Sequence, residues 1–123
     1  MMKSVLMRIS RVLGLIVLMG FMLSNVSLKA QENVLKETFK VWGNCDMCKS
    51  TIEKSLKSIK GVKSGKWNVA SGKMTVKYDS SKIDLDEIKK AIAAVGYDTE
   101  AFKAPDAVYE KLHHCCQYDR SKK

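Results

Sequence analysis

Two clusters in this sequence carry residues able to do chemistry. The first is Cys45-Asp46-Met47-Cys48, two thiols three residues apart. The second is His113-His114-Cys115-Cys116, four potential ligands in four consecutive positions. A thiolate is both a soft metal ligand and a nucleophile, so the pair at Cys45 and Cys48 suits ion binding or electron exchange. Disulfides within either cluster would close tiny loops and stabilise little. A closed structural zinc site needs four ligands, and only two are local to Cys45. Two soft thiolates therefore favour a thiophilic ion: Cu(I) first, with Hg(II), Zn(II) and Cd(II) also able to bind.

The elements that must position these groups follow from the apolar pattern. Val34 to Trp42 alternates loosely and reads as a strand, broken by Gly43-Asn44. From Cys48, Ile52, Leu56 and Ile59 recur at helical spacing with lysines opposite, and Gly61 marks a stop. Val62 to Val69 and Lys73 to Tyr78 are two further strands around the turn Ala70-Ser71-Gly72. Asp84 with Glu87 forms a capping box ahead of the stripe Leu85, Ile88, Ile92 and Val95, which Gly96 ends. Tyr97 to Phe102 is a short last strand. The order β-α-β-β-α-β is an α+β, ferredoxin-like sandwich of two helices on an antiparallel sheet, followed by a short C-terminal tail. In that tail Pro105 opens a short helix, with Val108 and Leu112 on one side.

The first cysteine pair falls at the junction of a strand and a helix. Unpaired N–H groups and the positive end of the helix dipole lower a thiol pKa there, and Lys49 adds a positive charge nearby. The last strand should end far from this loop. The 13 residues from Phe102 to Cys115 reach roughly 20 Å as helix or about 43 Å extended, against about 27 Å for an eight-residue strand. The tail can therefore return to Cys45 and Cys48, bringing His113, His114, Cys115 and Cys116 as auxiliary ligands. Alternatively it is an exposed end whose cysteines pair with one another or with another chain.

The N-terminus reads as a leader. Lys3, Arg8 and Arg11 precede the 12-residue apolar run Val12 to Leu23, and small polar residues lead to Ala30. This is the build of a secretory signal peptide, too short for a spanning helix of roughly 20 residues. The expectation is export to a periplasm or to the outside, with cleavage near Ala30 and no stable membrane anchor afterwards. The chain then divides into a leader (1–30), a domain (31–102) and a tail (103–123). The net charge of +9 becomes +5 on cleavage, 18 bases against 13 acids, and the lysines lie scattered between acids. Nucleic-acid binding would need a concentrated basic patch, so none is expected.

The run Gly43-Asn44-Cys45-Asp46-Met47-Cys48-Lys49, set in this element order, resembles the heavy-metal-associated domain. The resemblance covers roughly Val34 to Phe102. It implies Cys45 and Cys48 as the metal ligands and places Tyr97, after the second helix, close to the metal loop. Members of that family usually carry a buried methionine two residues before the first cysteine. Here that position is Gly43, and Met47 sits inside the loop instead. The implied role is a metal carrier or scavenger working by thiolate exchange, as a monomer or metal-linked dimer. Its partner would be a metal-exporting P-type ATPase or another metal-binding protein. The competing reading is a thiol–disulfide oxidoreductase, since Trp42 beside Cys-x-x-Cys superficially matches a thioredoxin-like site. Such proteins carry prolines around the cysteines, whereas the single proline here, Pro105, lies in the tail. With no phosphate loop and no serine–histidine–acid pattern, an enzyme is not expected.

Overall fold

The computed structural model describes Arg8 and residues 33–121. The chain divides between residues 31 and 32 into two units, and every described residue except Arg8 belongs to the second. The expected leader thus lies outside the described residues apart from Arg8. Among the described residues no helix is long and apolar enough to cross a membrane.

The elements run β1 (Val34–Lys40), α1 (Asp46–Lys57), β2 (Val62–Trp67), β3 (Lys73–Asp79), α2 (Leu85–Ala94), α3 (Asp106–Glu110) and a 3-10 turn (His114–Cys116). The strands form an antiparallel sheet in the order β1-β3-β2. Phe39 of β1 and Trp67 of β2 both pair with Met74 of β3. Alternation along β3 buries Met74, Val76 and Tyr78 and leaves Lys73 and Lys77 in water. The buried face joins Ile52 and Leu56 of α1 and Ile88 and Ile92 of α2 in one core. This open-sheeted β-α-β-β-α arrangement is the ferredoxin-like fold expected from the sequence.

Several boundaries shift for local reasons. Helix α1 begins at Asp46, two residues before the expected start, with Cys45 as its extended N-cap. It ends at Lys57, and Gly61, at φ 98°, serves the turn into β2 instead. The capping box on α2 is present in full: Asp84 accepts from the Glu87 N–H and the Glu87 side chain accepts from the Asp84 N–H.

The fourth strand is the main departure. Between Tyr97 and Phe102 only an isolated bridge forms, Val41 to Thr99, beside a Trp42 N–H to Asp98 carbonyl bond of 2.9 Å. The Thr99 hydroxyl accepts from the Phe102 N–H at 3.0 Å, and the Thr99 N–H donates to the Phe102 carbonyl at 2.8 Å. A side chain that closes its own backbone into a turn competes with a ladder, and here the turn wins. The chain therefore reverses at Phe102 and comes back along the domain.

The returning segment is a packed strap rather than a loose end. Ala104, Cys116 and Tyr118 are buried, and Tyr118 and Cys116 join the main core. The Tyr118 hydroxyl accepts from the Asp98 N–H at 2.8 Å and donates to the Gly96 carbonyl at 2.9 Å. Its ring stacks on Tyr97 and meets the edge of Tyr109. Arg120 clasps the fully buried Asp98 carboxylate through Nη2 at 2.9 Å and Nε at 3.1 Å. Gly96, at φ 109°, lets Leu112 approach so closely that a Cβ there would stand 2.9 Å from it.

Candidate metal centre

Cys45 caps α1, where the first N–H groups of a helix lack intrahelical partners. The strongest influence on its thiol is the Cys48 backbone N–H, opposed by burial and aided by the Cys48 side chain, and its pKa falls to about 7. Cys48, three residues along the helix, is fully buried with its sulfur 3.5 Å from that of Cys45. The Asn44 N–H donates to the Cys48 sulfur at 3.4 Å. Lys49 acts differently from expectation. Its ammonium is paired with Glu53 and donates to the Trp67 carbonyl at 2.7 Å, so it stabilises the α1–β2 contact.

Gly43 stands where the resemblance implies a methionine, and the structure shows what fills the space. A Cβ at Gly43 would lie 2.9 Å from the Trp67 ring and 3.3 Å from the Cys48 Cβ. Trp67 is buried, with its indole N–H donating to the Val41 carbonyl at 3.1 Å. The indole thus packs beneath the loop, and only glycine fits above it.

The strap brings two more thiols to this loop. The Cys116 sulfur is 3.8 Å from Cys45, and the Cys115 sulfur is 4.0 Å from Cys116. The ligand atoms of Cys45, Cys115 and Cys116 lie within 4.8 Å of one another, and His113 and His114 are not part of that group. Both histidines are exposed. Asn44 Nδ2 donates to the Cys115 carbonyl at 3.3 Å, tying strap to loop. All four cysteines are free thiols. Burial, and next the Cys48 thiol, push Cys116 well above the ordinary thiol range.

Tyr97 is buried, and Cys116 and Cys48 are hydrogen-bonding neighbours of its hydroxyl. Burial first, then Cys116, holds its pKa far above the ordinary phenol range, so it remains a neutral lid beneath the thiols. Met47, 46% exposed, has its sulfur 3.9 Å from Cys115. Sequence reasoning named these side chains but missed Trp67, Tyr118, Asp98 and Arg120. Only Gly43, an empty position beside a cysteine loop, hinted that a large residue elsewhere must fill the gap.

A strand-to-helix loop presenting a thiol pair on an open antiparallel sheet defines a small metal-binding domain with a cysteine-rich site for a soft ion such as Cu(I). Residues 38–98 match the heavy-metal-associated domain. The copper chaperone CopZ of Staphylococcus aureus is 42% identical over 55 residues, covering 45% of this chain and 81% of CopZ. A solved CopZ metallochaperone is 39% identical, with a TM-score of 0.51, over 53% of this chain and 98% of its own. The N-terminal domain of a potential copper-translocating P-type ATPase from Bacillus subtilis, solved in its Cu(I)-loaded state, is 31% identical. That likeness has a TM-score of 0.51 and covers 54% of this chain and 84% of the other.

The chain belongs to the heavy-metal-associated domain family. It is a metal-binding, chaperone-like domain, homologous to the copper chaperone CopZ, a metallochaperone and not an enzyme. The relatives also correct one expectation. CopZ and the ATPase amino-terminal domains are cytoplasmic, which overturns the reading of a periplasmic or secreted protein drawn from the leader-like N-terminus. The family match stops at Asp98, so the strap that carries Cys115 and Cys116 lies beyond it.

Proposed function

We propose that this protein carries a soft metal ion, Cu(I) foremost, between the thiolates of Cys45 and Cys48 and passes it on by ligand exchange. The observation that carries this reading is the sulfur pair itself: 3.5 Å apart at a helix N-terminus, one member partly exposed with a pKa lowered to about 7. A thiolate ready at neutral pH binds without a large proton cost. In transfer, a partner's thiolate attacks the bound ion, a shared intermediate forms, and the bonds to Cys45 and Cys48 break in turn. The partner proposed first is the amino-terminal domain of a copper-translocating P-type ATPase, a reading supported by the likeness to such domains, with other metal-binding proteins able to serve by the same chemistry. One chain supplies every thiol of the site, so a monomer suffices, and a metal-linked dimer would need only a second chain's Cys45. Hg(II), Zn(II) and Cd(II) share the affinity for thiolates.

The test is an anaerobic Cu(I) titration of the reduced protein against a competing chelator, beside a Cys45→Ser/Cys48→Ser variant. Tight binding that the double substitution abolishes is the expected result. Equally tight binding by the variant would overturn the assignment to this pair.

A further inference from the structure

The sulfur atoms around the site form a continuous series. Met47 lies 3.9 Å from Cys115, Cys115 lies 4.0 Å from Cys116, Cys116 lies 3.8 Å from Cys45, and Cys45 lies 3.5 Å from Cys48. The series begins in water and ends in the core. Met47 and Cys115 are exposed, Cys116 is 2% exposed, Cys45 is partly exposed, and Cys48 is 0% exposed. A metal–thiolate bond is about 2.3 Å long, so two sulfurs up to about 4.6 Å apart can grip one ion together. Every neighbouring pair in the series meets that condition.

We propose that this sulfur ladder is the route by which the ion enters and leaves. It is captured at the surface by Met47 and Cys115, passed along Cys116 and Cys45, and held between Cys45 and Cys48. The ladder rests on the carrier reading above and adds a path to it. At each rung one metal–sulfur bond forms as another breaks, and the charge of the ion does not change. Each thiol that becomes a ligand releases its proton to water and regains one when the ion moves on. The strap makes the path possible, because the Asn44 side chain donates to the Cys115 carbonyl and holds that residue over the loop. The clasp of Arg120 on Asp98 and the buried Tyr118 fix the strap behind it. A two-cysteine loop alone meets its partner at one point; here capture and holding are separate places.

The experiment is anaerobic stopped-flow transfer of Cu(I) from its bicinchoninate complex to the reduced full chain, compared with a Met47→Leu/Cys115→Ser variant. Both residues are exposed, so neither substitution opens the core. The variant should withdraw as much Cu(I) at equilibrium as the parent but do so about tenfold more slowly or worse, with the single variants between. An unchanged rate would overturn the ladder. So would a slowing matched by an equal loss of final occupancy, which would make the two residues ordinary ligands. The carrier reading fails by a different readout, the equilibrium titration of the Cys45→Ser/Cys48→Ser variant.

Discussion

Cys45 and Cys116 are 3.8 Å apart at their sulfurs yet meet opposite surroundings. Cys45 sits where helix N–H groups point at it, and the Cys48 N–H above all draws its pKa down to about 7. Cys116 is enclosed by side chains and neighbouring thiols, and burial holds it protonated. One thiol thus supplies a ready thiolate and the other a reserve that ionises when a cation arrives to offset the cost. Because the Cys45 pKa is lowered, its charged form dominates above about pH 7 and is lost as pH falls through that value. Iodoacetamide labelling of the metal-free, reduced protein, followed by peptide mass, should therefore show Cys45 modification rising through about pH 7 and saturating near pH 8. Cys116 should remain unlabelled across that range. Equal labelling of both at neutral pH would contradict the contrast on which the site's readiness depends.

At the scale of elements, the strap is held by few but well-buried contacts, and they localise its stability. Arg120 donates twice to the buried Asp98 carboxylate and also to Asp106 and the Ala104 carbonyl. Removing one partner of such a pair strands the other's charge. Arg120→Ala should cost roughly 3 kcal/mol, toward the low end for a buried pair because the guanidinium keeps some contact with water. Urea denaturation checks this, and a loss below the error of the method would place the strap's stability elsewhere. The same contacts explain what was and was not legible in the sequence. Strands, helices and the cysteine loop follow local signals: alternation along β3, the helical stripe of α2, the Asp84–Glu87 box. The strap depends on partners far apart in sequence, Asp98 with Arg120 and Gly96 with Tyr118, and no periodicity announces them. The missing fourth strand has a local cause instead: Tyr97 to Phe102 has strand-like composition, and the Thr99 hydroxyl diverts it by closing a turn on Phe102 three residues on.

For the whole molecule, the described domain is small and must hold both an open sheet and a strap with a modest core, so a bound ion should weigh heavily in its stability. An ion that binds the folded chain and not the unfolded one adds about 2.7 kcal/mol at a free concentration of about 100 times Kd. In a domain of this size that corresponds to a Tm rise of roughly 10–20 °C. The sign with pH follows from the thiols. Binding displaces protons, so the rise should be larger at pH 8, where Cys45 is mostly thiolate, than at pH 6, where it is mostly protonated. Calorimetry of the reduced protein with and without buffered Cu(I), at pH 8 and at pH 6, makes the comparison. The strap predicts a further pattern. With Cys115 replaced by serine, the metal-induced rise should stay as large as the parent's, because the ion rests between Cys45 and Cys48 and Cys115 serves its passage. A smaller rise would make Cys115 a ligand of the resting ion and overturn the ladder.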